Sequence, residues 1–301
     1  MKIKWNPIVK KDLQVAARSM RLSWGLFAYE AVLTLMFLLA MAVIQGQSGN
    51  IYSGGNVYGY MVVLFPVLAV AQVCIVALIA PILTASSISG ERERQTLDIM
   101  LTTCMSPFSI VLGKVISAVL HILFFVAAST PIMALAFVAG GLSWSYLFYF
   151  LLTIILLSVL SGSIGIFCSA FCRRSITAVI LSFAFYFVIY VLTYLPALLR
   201  MSLGRGTAGE SLLILLFNPM VFFEEFFMQL MTGESLFGGG VSFTRREVGF
   251  VTYYLSQGKA WMFASAACIL LMSLVFMLAA AWKVNPLHSS SGRKPGRARK
   301  Q

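Results

Sequence analysis

Residues 60–84 read YMVVLFPVLAVAQVCIVALIAPILT, residues 85–108 ASSISGERERQTLDIMLTTCMSPF, and residues 109–128 SIVLGKVISAVLHILFFVAA. The first and last blocks are each about as long as a helix needs to cross the hydrocarbon of a bilayer. The middle block sets Glu91, Arg92, Glu93 and Arg94 in a row, which would be costly at mid-bilayer. Two membrane helices joined by a short polar segment follow. With them comes the fold class: all-α and integral to the membrane.

The pattern recurs along the chain. Apolar stretches at about 23–44, 147–171, 177–199 and 261–282 bring the spans to six, and the third runs on to about 138 with Pro131 as its expected kink. Of 301 residues, 60% are hydrophobic and 11% charged, against about 25% charged in a soluble domain. That excludes an ordinary soluble enzyme, a disordered chain and a nucleic-acid-coating protein. The formal charge of +12 points instead to a membrane face and anionic lipid. Seventeen of the 22 Lys and Arg fall on one side, in residues 1–22, at Arg92, Arg94 and Lys114, at Arg173 and Arg174, and from Lys283 onward. The positive-inside rule puts that side, with both termini, in the cytoplasm.

The chain is thus expected to be one transmembrane domain, 1–301. Its non-spanning parts are an elbow helix at 1–22, a connecting region at 85–107, an external loop at 200–259 and a basic tail at 284–301. In the elbow, Asn6-Pro7 supplies a cap and a first-turn proline. Leu13, Ala16, Ala17 and Met20 then face lipid, with Lys10, Lys11, Gln14, Arg18 and Arg21 opposite. Residues 212–231, LLILLFNPMVFFEEFFMQLM, are long enough to span, but Asn218-Pro219 and the Glu224-Glu225 pair argue against it. They are expected to form short interfacial or re-entrant helices capped by Asn218. Phe222, Phe223, Phe226 and Phe227 would lie on one side, with Glu225 and Gln229 toward the other. None of the five cysteines lies in the external loop, so no disulfide framework is implied.

In residues 91–104, Leu97, Met100, Leu101 and Cys104 make an apolar face, and Glu91, Arg94 and Asp98 are spaced for ion pairs. The row Ser89-Gly90-Glu91-Arg92-Glu93-Arg94-Gln95-Thr96-Leu97, with Leu101-Thr102-Thr103 and Ser106-Pro107 after it, resembles the signature of the membrane subunits of ATP-binding-cassette exporters of the type-two permease family. Val111-Leu112-Gly113-Lys114 continues it. Gln95 stands where many relatives carry glycine, and Cys104-Met105 where proline and leucine are common. The resemblance implies an exporter permease in the plasma membrane of a bacterial cell. It makes Glu91, Arg92, Glu93, Arg94, Leu97, Leu101, Thr102 and Thr103 the coupling segment for a separate ATP-binding subunit. A second permease copy or a paralogue would complete the path, and no nucleic acid is implied.

No cofactor is expected on this chain, and ATP belongs to the partner. A phosphate-binding loop needs G-x-x-x-x-G-K-[ST]. Here Gly113-Lys114 is followed by Val115 with Phe108 in the first glycine's place, and Gly258-Lys259 fails likewise. Two other classes compete. Glu224-Glu225 is similar to the paired glutamates of intramembrane proteases, but Gln229 stands where a basic residue is expected, and only His121 lies in a span. An ion-coupled carrier or channel would use Glu30, Lys114 and His121. Glu30 is expected instead to make a structural ion pair or hydrogen bond, with a basic residue such as Lys114 or Arg174 within reach. The phenylalanines of 222–227 are buried in the simpler reading and form an outer gate in the sharper one.

The charge division yields a topology prediction. In an otherwise cysteine-free background, an impermeant thiol reagent should label a cysteine at position 239 on intact cells and leave one at 295 unlabelled. The reverse pattern overturns the six-span arrangement.

Overall fold

The computed structural model describes residues 18–48, 63–96, 106–139, 144–196, 213–233 and 259–285, with residues 9, 12, 14, 15 and 199 besides. Regular structure among them is helical: α1 (Met20–Ser48), α2 (Leu64–Ala85), α3 (Ser89–Glu93), α4 (Pro107–Ala128), α5 (Thr130–Ala139), α6 (Trp144–Phe171), α7 (Ser175–Tyr190), α8 (Pro219–Thr232) and α9 (Ala260–Val284). Six of the helices, α1, α2, α4, α6, α7 and α9, are long and apolar enough to cross a membrane. Residues 9, 12, 14 and 15 are helical, and the chain leaves helix at Arg18 and Ser19 before α1 begins. Leu13, Ala16 and Ala17 of the expected elbow stripe lie outside the described residues, as do the tail beyond 285 and most of the loop at 200–259.

Helix α6 is the axis of the bundle. It packs on α2, α4, α7 and α9, and 67% of its spanning window is buried against 11% for α1. The cause is local composition: Ser158, Gly162, Gly165 and Ser169 recur at helical spacing on one side. Small residues let membrane helices approach closely, where lipid offers no hydrophobic drive for association. At Gly165 the approach reaches its limit. A Cβ there would overlap the Thr84 hydroxyl, stand 2.6 Å from Thr84 Cβ and come within 3.4 Å of the Ala85 nitrogen.

Above this contact the core is aromatic. Phe65 of α2, Phe137 of α5, Phe150 of α6 and Phe223 and Phe227 of α8 form one cluster, with ring centroids 5.6–6.4 Å apart along its interhelical contacts. The third span is broken at Ser129, two residues before Pro131. A proline ring clashes with the carbonyl four residues back and offers no N–H, so the helix gives way on its N-terminal side. The break is held by buried hydrogen bonds: Tyr29 Oη and Gln72 Nε2 donate to Ser129 Oγ at 3.2 and 3.1 Å, and Ser129 donates to the Val126 carbonyl at 2.9 Å.

Helix α8 begins as its sequence predicts. Asn218 Oδ1 accepts from the nitrogens of Met220 and Val221, Pro219 opens the first turn, and Gly233 ends the helix at φ 75°. One expectation is corrected. Glu225 is fully buried, and it is Glu224 that faces out. Val221 is buried together with the four phenylalanines, and Glu225 lies between Val221 and Phe222 around the helix, so it is carried inward with them.

Replacing Gly165 by alanine should lower the thermal midpoint of the purified protein by the equivalent of about 1–3 kcal/mol, the usual range for overpacking. Gly46→Ala, with no neighbour within 4 Å, should be neutral or slightly stabilising. Equal effects of the two variants would remove the close approach as a constraint.

Candidate functional site

The charged row sits where α2 runs out. After Ala85 the chain turns through residues 86–88 into α3, and Ser169 of α6 fixes that turn. The nitrogens of Ile88 and Ser89 both donate to Ser169 Oγ at 2.8 Å. Ser89 Oγ in turn donates to the Ala85 carbonyl at 3.0 Å, closing the end of α2. These bonds require the backbones of α2 and α6 to be close, which Gly165 permits.

Each charge on α3 then finds its own partner. Glu91 Oε1 accepts from Lys114 Nζ at 2.7 Å, and Asp12 Oδ2 accepts from the same ammonium at 3.2 Å. Lys114 is only 4% exposed, and a cation so enclosed needs such partners. Arg92 donates to the carbonyls of Cys172 at 2.8 Å and Ala170 at 3.2 Å, at the C-terminal end of α6. Glu93 accepts from the Ser175 nitrogen at 2.8 Å and the Ser175 hydroxyl at 3.0 Å, at the start of α7. Arg94 is exposed. The segment then turns at Gln95 with φ 58°, and the Thr96 nitrogen returns to the Glu91 carbonyl at 2.9 Å.

Asp12, Glu91, Glu93, Arg94, Lys114 and His121 line one polar cleft of about 640 Å³ at this basic end of the bundle. His121 lies two turns beyond Lys114 on α4. The structure therefore unites Glu91, Glu93, Arg94, Lys114 and His121, and it leaves Glu30 out. The expected pairing of Glu30 with Lys114 is not formed, because the ammonium is taken by Glu91 and Asp12 near the start of α4. Arg174 lies instead beside Glu93. Glu30 is half-buried on α1, and its Oε1 has no hydrogen-bond partner among the described residues. Leu97, Leu101, Thr102 and Thr103 lie outside the described residues. At the opposite end, Phe222, Phe223, Phe226 and Phe227 are buried in the core. Desolvation there holds the Glu224 carboxyl above the usual carboxylate range, against the opposing effect of a hydrogen bond with Tyr194.

Residues 6–284 match the family model described as ABC-2 family transporter protein. The chain belongs to the ABC-2 transporter family. No curated protein matches it. It is accordingly a multi-pass membrane protein and a permease component of an ABC transporter, and membership implies an ABC ATP-binding subunit as partner. In this ABC-2 permease, Asp12, Ser169 and Ser175 complete the charged site, and sequence reasoning missed all three. Ser169 had a signal, its place on the small-residue side of α6. Asp12 had none, since 102 residues separate it from Lys114.

Gln95 carries the left-handed backbone that glycine adopts without steric cost. Gln95→Gly should therefore be neutral or raise stability by up to about 1 kcal/mol, and Gln95→Val should lower it by about 1–2 kcal/mol. Thermal unfolding of the purified permease tests the pair. Equal tolerance of valine and glycine would show that the turn does not depend on φ at 95.

Proposed function

We propose that this chain is the transmembrane half of an ATP-driven exporter, with its basic end in the cytoplasm and a separate ATPase docking on residues 91–103. Two copies, or one copy and a paralogue, would enclose the path, with two ATPase subunits below. The observation that carries this reading is α3. A short charged helix projects between two spans, is fixed to the bundle by side-chain bonds, and leads directly into the apolar residues Leu97 and Leu101. Support for a separate ATPase comes from the family, and from a sequence in which both Gly-Lys pairs lack the phosphate-loop pattern.

Mechanistically, closure of the ATPase pair on ATP would displace residues 91–103. The spans on either side would then pass between two packed arrangements, opening the path alternately or releasing substrate laterally. The residues of this chain bind, brace and move; none forms a covalent bond. Glu91 and Glu93 are engaged within the chain, so the affinity for the ATPase would rest on the apolar anchors.

Replacing Leu97 and Leu101 together by asparagine should weaken ATPase binding more than tenfold, since buried apolar anchors each contribute about 2 kcal/mol or more to such contacts. Co-purification with the ATPase subunit from membranes measures it. A double variant that reaches the membrane and retains its ATPase overturns the docking assignment.

A further inference from the structure

Helix α7 packs on α6 and α2 through the buried side chains of Ala178, Ser182, Tyr186 and Ile189, and it is tied by polar bonds at its two ends. At its start, the capping residue Arg174 offers no side-chain cap. Glu93, from α3, supplies one by accepting from both the nitrogen and the hydroxyl of Ser175. At its far end, Asn218 Nδ2 donates to the Tyr190 carbonyl at 3.2 Å and to Thr193 Oγ1 at 2.7 Å. Arg92 simultaneously closes the C-terminal carbonyls of α6. A carboxylate thus meets a helix N-terminus and a guanidinium meets a helix C-terminus, both the favourable sign for the helix dipole. Charge-assisted bonds of this kind are roughly twice as strong as neutral ones. Between α3 and α4, by comparison, the Glu91–Lys114 ion pair is the side-chain link.

We propose that Arg92 and Glu93 are positioning residues that fasten α3 to the turn between α6 and α7, so that a displacement imposed on α3 is delivered to α7 and, through Asn218, to α8. The stroke thus reaches the fifth span, although it enters between the second and third. The inference rests on the reading above, in which an ATPase subunit moves residues 91–103. Within residues 91–103 the affinity for the ATPase falls to the anchors Leu97 and Leu101, and the two charged residues, engaged within the chain, transmit the movement.

The test uses the permease–ATPase complex in lipid nanodiscs, with ATP and orthovanadate as the probe. Nitroxides oxime-linked to keto amino acids at positions 192 and 263, where Leu192 and Phe263 are both exposed at the end of the bundle away from α3, report the distance between the fifth and sixth spans in a background free of native cysteines. ATP–vanadate should shift that distance in the parent protein. Arg92→Ala with Glu93→Ala should abolish the shift while the ATPase stays bound. A covalent substitute for the clamp is available, because a Cβ at Gly90 would stand 3.6 Å from Ser175 Oγ. Adding Gly90→Cys and Ser175→Cys to the double-alanine variant and oxidising the pair should restore the shift, and reduction should remove it again. That recovery is a readout that mere loss of folding cannot imitate. The proposal is overturned if the double-alanine variant shifts like its parent, if the oxidised bridge restores nothing, or if the parent with ATPase bound shows no shift. If no ATPase subunit associates with the parent chain, the exporter reading fails first and the clamp falls with it.

Discussion

The basic end of this bundle depends on the absence of a side chain at residue 165. With hydrogen there, α2 and α6 touch backbone to side chain, and a Cβ would collide with Thr84. The contact has consequences one turn further on. It brings Ser169 within 2.8 Å of the nitrogens of Ile88 and Ser89, which turns the chain out of α2 and starts α3. From that start the charged residues reach their partners in register: Glu91 toward α4, Arg92 toward the end of α6, and Glu93 toward the start of α7. A larger residue at 165 would displace the whole set, because α3 is too short to hold a position of its own.

The same physical problem is solved at both ends of α7. Helix termini leave backbone groups without intrahelical partners, and near a membrane each such group is costly to leave unmet. Asn218 answers this twice over. Its oxygen caps the start of α8, and its amide closes the end of α7. Ser265 adds a third tie by donating to the Leu216 carbonyl at 2.8 Å, so that α9 holds the approach to the same cap. One residue therefore sets the angle between a span and the helix that folds back against the core.

Hydropathy and charge made much of this legible. The spans are long apolar runs, and their described ends lie within a few residues of the apolar limits, save for the third, where proline chemistry moved the break back to Ser129, and the fifth, where α7 ends at Tyr190, nine residues short of 199. Asn218-Pro219 was legible because a cap and a first-turn proline act within one turn of chain. Long-range pairing was not. Lys114 joins Asp12 and Glu91 across 102 and 23 residues, and nothing local distinguishes those carboxylates from Glu30. Glu225 was misplaced because a stripe of four phenylalanines was assigned to one side only. Adjacent residues on a helix point about 100° apart, and Val221 is buried as well as the phenylalanines, so the buried face runs on past Phe222 and takes in position 225, which lies between Val221 and Phe222 around the helix.

Packing also bears on where a solute could pass. The cavities beside Tyr190 and beside Tyr29 hold about 10 Å³ each, roughly the room one water occupies. Between them the core is filled by interlocked aromatic rings and by the stacked pair Tyr186 and Tyr190, whose planes differ by 5°. Among the described residues the centre of one bundle is a packed interior. The large apolar faces lie outside it, on α1 and α9, whose spanning windows are 11% and 17% buried. A path bounded by protein is therefore easiest to build between two such bundles. Such faces suit the second permease of the proposed exporter, and a lever that moves whole spans suits it better than a gate inside one chain.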